Sequence, residues 1–135
     1  MAEKVKYRRR NEDGYELRSV GLITKNNGAQ VLLVNSRKQR YWIVPGGGVE
    51  DGEMFDDAAH REVYEEAGVV CKIIKEFDII TDEIKRQKTK VYELRVILEM
   101  CEWPESTWRK RIWMTLKEAE LLIKPSHLPL LKLLA

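Results

Sequence analysis

The sequence predicts an α/β fold in which a mixed β-sheet lies between helices. Strand-like runs stand on both sides of a central acidic segment with helical features, residues 55–67. Residues 116–134 return to a helical pattern, so strands meet helices before and after the centre. No internal repeat, low-complexity run or linker interrupts the chain, so it reads as one domain over residues 1–135, with 1–11 as a flexible tail.

Each element follows from local signals. Residues 15–24 are β-like, with Val20, Leu22 and Ile23 apolar. Lys25-Asn26-Asn27-Gly28 is a hairpin signal, because Asn-Gly accepts the positive φ of a tight turn. Residues 31–34 form the apolar return strand, and a basic loop, Arg37-Lys38-Gln39-Arg40, leads into the strand-like run 41–44. Gly46, Gly47 and Gly48 follow, offering backbone conformations closed to other residues and close approach of a ligand to the main chain. The helix spans 55–67, with Asp51 or Glu53 capping or charge-complementing its start and Gly68 ending it. Residues 69–77 and 79–81 read as strand, 85–90 as a second basic loop, and 91–100 as a strand rich in branched residues. A loop with Pro104 precedes Arg109-Lys110-Arg111 and a further strand. Residues 116–123 fit an amphipathic helix that Pro125 stops, and 126–134 a second short helix closing the core.

The helix carries the chemistry. Glu62, Glu65 and Glu66 stand at i, i+3 and i+4 and share one face, beside an apolar stripe of Ala59, Val63 and Ala67. Crowded carboxylates weaken an isolated helix, and a hard divalent cation such as Mg2+ is a natural reason to tolerate that. Arg61, four residues before Glu65, can orient it. Taken alone, the three glutamates favour a solvated acidic face, which is what a charge run usually is.

Their spacing changes the reading. Gly47, Glu53, then Arg61-Glu62-Val63-Tyr64-Glu65-Glu66-Ala67-Gly68-Val69 resembles the Nudix box with its defining positions filled. That resemblance implies an α/β/α sandwich with a mixed sheet. It also implies a metal-dependent hydrolase of phosphoanhydride bonds, in which a metal-activated water attacks phosphorus. By position it makes Glu62, Glu65 and Glu66, with the Gly47 carbonyl, the ligands of Mg2+ or Mn2+. Arg61 becomes the orienting arginine and Glu53 the supporting carboxylate. Glu66 is the first choice for the carboxylate contacting the water, with Glu65 as the alternative.

Further stretches are similar to the diphosphoinositol polyphosphate phosphohydrolases: Asp13-Gly14-Tyr15, the segment from Trp42 to Gly48, Val91-Tyr92 and Arg109-Lys110-Arg111-Ile112-Trp113. Where that branch is basic after Asp-Gly-Tyr, this chain has Glu16 and Leu17 and keeps Arg18. The branch acts on diphosphoinositol polyphosphates and diadenosine polyphosphates, and some members decap messenger RNA. A polyphosphorylated substrate is therefore expected, gripped by Gly46–Gly48 and by Arg18, Arg37, Lys38, Arg40, Lys88, Lys90, Arg109 and Arg111. An RNA cap or nucleotide sugar is the alternative substrate, and a catalytically silent binding module the alternative class.

Charge is uneven. Residues 47–69 hold eight acids and one base, a net −7, against +9 for the rest of a chain whose total is +2. An acidic patch in a basic protein suits a polyanion met through cations, and equally loose nucleic-acid binding. Neither Cys71 nor Cys101 pairs with a histidine as a zinc site would, and both are expected to be buried thiols. His60 and His127 read as surface or packing residues. No apolar run is long enough to cross a bilayer and no secretory signal is evident. The expected setting is the cytoplasm, with the nucleus as a second compartment, for a monomer.

Overall fold

The computed structural model describes residues 9–11 and 13–135. One eight-stranded sheet organises them, built from β1 (Glu16–Lys25), β2 (Gln30–Asn35), β3 (Trp42–Ile43), β4 (Gly46–Gly48), β5 (Val69–Glu76), β6 (Ile80–Asp82), β7 (Gln87–Glu99) and β8 (Arg111–Thr115). The main path runs β3-β2-β1-β7-β5, with β4 on β1, β6 on β7 and β8 on β2. β1 and β7 are parallel over nine pairs, while the other pairings are antiparallel. The sheet is thus mixed.

Alternation along β1 sends side chains to two cores. Val20 and Leu22 face a layer closed by Ala119 of α2 (Leu116–Leu122) and Leu131 of α3 (Leu128–Leu131). Ile23 faces α1 (Phe55–Ala67), whose Ala59, Val63 and Ala67 are fully buried beside Leu94. Gly21 lies under α1 so closely that a Cβ there would come within 2.6 Å of Val63 Cγ1. The helix docks that tightly only because β1 carries no side chain at this point.

Several local expectations change. The hairpin forms as read, with Asn26, Asn27 and Gly28 all at positive φ. The three glycines, however, form an extended strand paired with Arg18, Ser19 and Val20, and none of them is at positive φ. Their value lies in close approach instead. Neither Asp51 nor Glu53 caps α1: the N-cap is Met54, without a side-chain bond, and Asp56 and Asp57 supply the acidic first turn. Gly68 ends the helix at φ 66, ψ 37.

The C-terminal segment is broken into Pro125–His127, Leu128–Leu131 and Lys132–Leu134, because Pro129 leaves no room for one regular helix. The second basic loop is shorter than expected, since β7 begins at Gln87 and takes in Lys88 and Lys90. Cys71 is buried and burial pushes its thiol up to about 12, but Cys101 is exposed. Of the expected tail, residues 1–8 lie outside the described residues. Arg9 is tied down, its amide donating to the Val49 carbonyl and its guanidinium to the Glu53 carbonyl.

Candidate active site

β1 has two partners on one flank. β2 accompanies Ile23–Lys25, and β4 accompanies Arg18–Val20. The all-glycine β4 therefore lies directly above one face of α1. A Cβ on Gly47 would stand 2.6 Å from Glu62 Oε1, and one on Gly46 2.6 Å from the Ser19 carbonyl. Absent side chains let the helix glutamates reach the backbone: the Gly46 amide donates to Glu66 Oε2 at 3.2 Å.

Arg61 organises the rest of that helix face. Its Nε donates to Glu53 Oε2 at 2.7 Å and its Nη2 to Glu53 Oε1 at 3.0 Å, a paired contact of the kind guanidinium favours. Nη1 donates to Glu62 Oε1 at 2.9 Å and Glu65 Oε2 at 3.4 Å, and lies 3.7 Å from Glu50 Oε1. Nη2 also reaches the Gly48 carbonyl at 2.9 Å. Burial works against the Arg61 charge, but the bonds to Glu53 and the charge of Glu62 outweigh it and hold the guanidinium more firmly protonated. Glu53 in turn accepts the Glu50 amide, so the expected orienting arginine and supporting carboxylate form one unit with β4.

Glu66 sits deeper. Burial, then a hydrogen bond and the charge of Glu62, push its carboxyl well above the ordinary carboxylate range, opposed by Arg109. Arg109, only 6% exposed, donates from Nη2 to Glu66 Oε1 at 3.2 Å and to Glu105 Oε1 at 2.9 Å, and from Nη1 to the Asn35 carbonyl at 2.6 Å. Six carboxylates, of Glu50, Glu53, Glu62, Glu65, Glu66 and Glu105, thus share two guanidiniums. Glu50 Oε1 is buried without a hydrogen-bond partner. Among the described residues no three His, Cys, Asp or Glu side chains close around one point. An open, over-negative site of this kind suits Mg2+, which keeps several waters and uses one or two carboxylates together with phosphate oxygens.

Glu62, Glu66, Glu105, Gly46 and Gly47 line a groove half of about 360 Å3 together with Arg18, Arg37, Lys124 and Arg109. A second half of about 390 Å3 adds Lys85, Gln87, Thr89 and Ser126. Arg18, Ile43, Gly46 and His127 belong to both, so the halves are continuous. No Phe, Tyr or Trp lines either one.

The predicted basic residues divide accordingly. Arg18, Arg37 and Arg109 are in the groove. Lys38 and Arg40 line a neighbouring depression instead. Lys88 and Lys90 alternate to the opposite face of the sheet from Thr89: Lys88 Nζ lies 4.8 Å from the Tyr15 ring and Lys90 pairs with Glu76 at 3.0 Å. Arg111 is also withdrawn, donating to the carbonyls of Ala67, Gly68 and Met100 and stacking on Trp103. It satisfies the C-terminal carbonyls of α1.

Sequence reasoning missed Lys124, Glu105 and the placement of His127, and of the basic loop 85–90 it singled out Lys88 and Lys90 where Lys85 is the lysine that lines the groove. Lys124 has a legible cue, a lysine just before Pro125, but its nearness to β3 depends on its amide donating to the Trp42 carbonyl. His127 accepts the Val44 amide at Nδ1, 3.2 Å away, which leaves Nε2 as the donor. Burial, with the charges of Lys124, Arg18 and Lys85, lowers it to about 4. It is therefore neutral at pH 7.

A NUDIX domain model matches residues 16–134. The chain is 38% identical over 124 residues to diphosphoinositol polyphosphate phosphohydrolase 2 of Rattus norvegicus, covering 87% of this chain and 69% of that protein. It is 37% identical over 123 residues to diphosphoinositol polyphosphate phosphohydrolase 3-alpha of Mus musculus, covering 85% and 75%. Its fold is similar to a MutT structure from work on Aliivibrio salmonicida and Vibrio cholerae, with a TM-score of 0.71 at 18% identity, covering 87% of this chain and 93% of that one. A NUDIX hydrolase from Nitrosomonas europaea gives 0.72 at 18% identity, covering 87% and 86%.

Proposed function

The chain belongs to the Nudix hydrolases and is related to the diphosphoinositol polyphosphate phosphohydrolases, and on that premise we propose that it hydrolyses phosphoanhydride bonds of diphosphoinositol polyphosphates and diadenosine polyphosphates. One observation carries this reading above the others. A single groove sets the buried carboxylates of Glu62 and Glu66 against the cations Arg18, Arg37 and Lys124. The cations would hold a phosphorylated group while the carboxylates face the bond to be cut.

Glu62, Glu65, Glu66 and the Gly47 carbonyl would hold Mg2+ or Mn2+, which when bound neutralises phosphate charge and acidifies water. The protein's own groups do the positioning. Arg61 fixes Glu53, Glu62 and Glu65 relative to the β4 backbone, and the Gly46 amide and Arg109 fix the two oxygens of Glu66. Glu66, buried and with both oxygens held in place, is the carboxylate that would contact the attacking water, with Glu65 as the alternative. Neutral His127 offers an Nε2–H to phosphate oxygen at the junction of the two groove halves. A groove without Phe, Tyr or Trp favours a phosphate-dense substrate over one held by base stacking.

Phosphate release from a diphosphoinositol pentakisphosphate and from diadenosine hexaphosphate with Mg2+ tests this directly. Glu66→Gln should lower kcat by about 10²–10⁴ on either substrate while leaving the melting temperature close to wild type. Undiminished turnover in that variant overturns the assignment.

A further inference from the structure

Glu16, the first residue of β1, holds two residues of the groove without lining it. Alternation puts Glu16, Arg18 and Val20 on one face of β1, and the parallel pairing sets Gln87 and Thr89 of β7 beside Glu16 and Arg18. Arg18, Val20, Gln87 and Thr89 all line the second groove half, of about 390 Å3, and Glu16 closes that row at its end. Its Oε1 accepts from Arg18 Nη1 at 3.1 Å and from Gln87 Nε2 at 3.5 Å. The Glu16 side chain is only 16% exposed, so solvent screens its charge poorly. Its amide donates to the Arg86 carbonyl at 2.9 Å, which fixes the backbone beneath it.

The two halves of the groove differ in charge. The half with Glu62 and Glu66 carries the cations Arg18, Arg37, Arg109 and Lys124, and a divalent cation would offset its carboxylates. Among the described residues, the charged groups lining the second half are Arg18, Lys85 and Asp82, whose Oδ1 accepts the Ile84 and Lys85 amides. Setting the Glu16 carboxylate against Arg18 leaves two cations and two acids there. The other polar groups of this half, on Gln87, Thr89, Ser126 and neutral His127, carry no charge. Such groups suit hydroxyls and bridging oxygens, whereas a further phosphate would meet Glu16 and Asp82. Arg18 lines both halves, so its bond to Glu16 decides how much of its charge a ligand meets.

We propose that Glu16 is a specificity-determining residue: by holding Arg18 and Gln87 it keeps the second half of the groove close to neutral, and so selects ligands that place few phosphates there. Phosphates then gather in the half that carries Arg37 and Lys124. The inference rests on the hydrolase reading for which bond is cut, but the selection itself is made in binding and needs no turnover.

Calorimetric binding of inositol hexakisphosphate and of an inositol trisphosphate, with Mg2+, tests it, since neither ligand carries a phosphoanhydride bond to cut. Glu16→Gln removes the charge and keeps the shape. It should tighten the hexakisphosphate about tenfold and the trisphosphate by less than about threefold. Adding Arg18→Ala to that variant should abolish most of the difference. A residue that only supported the fold would weaken both ligands alike. The proposal is overturned if the ratio of the two affinities is unchanged in Glu16→Gln. Should that variant not fold, wild type decides: doubling the phosphates should strengthen its binding by less than about tenfold, and a larger gain overturns the proposal. Phosphate release from a diphosphoinositol pentakisphosphate separates the two readings. No release with a shifted ratio sinks the hydrolase reading alone, and release with an unshifted ratio sinks this one alone.

Discussion

At the residue scale, a half-buried histidine and a buried arginine show how position changes what a side chain does. His127 is held neutral by burial and by three neighbouring cations, with its folded value lowered to about 4. The unfolded chain takes up a proton near its ordinary value of about 6.5 and the folded chain only near 4, so below about pH 6.5 the unfolded state binds more protons. Stability should therefore fall as pH drops from about 6.5 to 4, by on the order of 2 kcal/mol after allowing for solvent screening, and level off below. Denaturant midpoints across that range measure it. His127→Asn, whose Oδ1 can still accept the Val44 amide, should flatten this part of the profile, and an unchanged slope would clear His127 of the role. Arg109 illustrates the opposite case. Its charge is engaged inside the protein by Glu66 and Glu105, which leaves it to steady the carboxylate of Glu66.

At the element scale, β4 and the end of α1 are the least forgiving parts. A Cβ on Gly47 would meet Glu62 Oε1 at 2.6 Å, so Gly47→Ala must push that carboxylate away or shift the strand. It should lower kcat at least tenfold, at a stability cost of about 1–3 kcal/mol. Steady-state kinetics beside a thermal melt separates the two effects, and wild-type kcat would show that Glu62 position is immaterial. Gly68 combines φ +66 with a Trp103 ring atom 2.7 Å from any added Cβ. Both strain and contact oppose Gly68→Ala there. α2 behaves differently. Its Thr115 and Glu118 form a reciprocal capping box on the surface, and Thr115→Ala should cost about 1 kcal/mol without touching kinetics.

At the scale of the whole molecule, the cations are sorted by which side of the sheet they occupy. Arg18 and Thr89 border the groove, whereas Lys88 and Lys90 turn to the opposite face. Arg18→Ala should raise KM for an inositol pyrophosphate several-fold more than Lys88→Ala does. Equal KM effects would place the substrate outside this groove.

Much of this was legible in the sequence. The span of α1, its closing Gly68, the Asn-Gly hairpin and the shared face of Glu62, Glu65 and Glu66 follow from local rules: helical periodicity, φ preference and side-chain spacing act within a few residues. The box spacing likewise carried the family, because fixed positions along one loop and helix need no knowledge of the rest of the chain. Tertiary structure alone decided which cations meet the carboxylates. That choice depends on strand parity, on which a shift of one residue reverses the face, and on contacts between segments far apart in sequence. Arg111 and Arg109 look alike in sequence, yet one serves a helix end and the other a buried carboxylate. Lys124 and His127 reach the groove because the C-terminal segment hydrogen-bonds to the backbone of Trp42 and Val44.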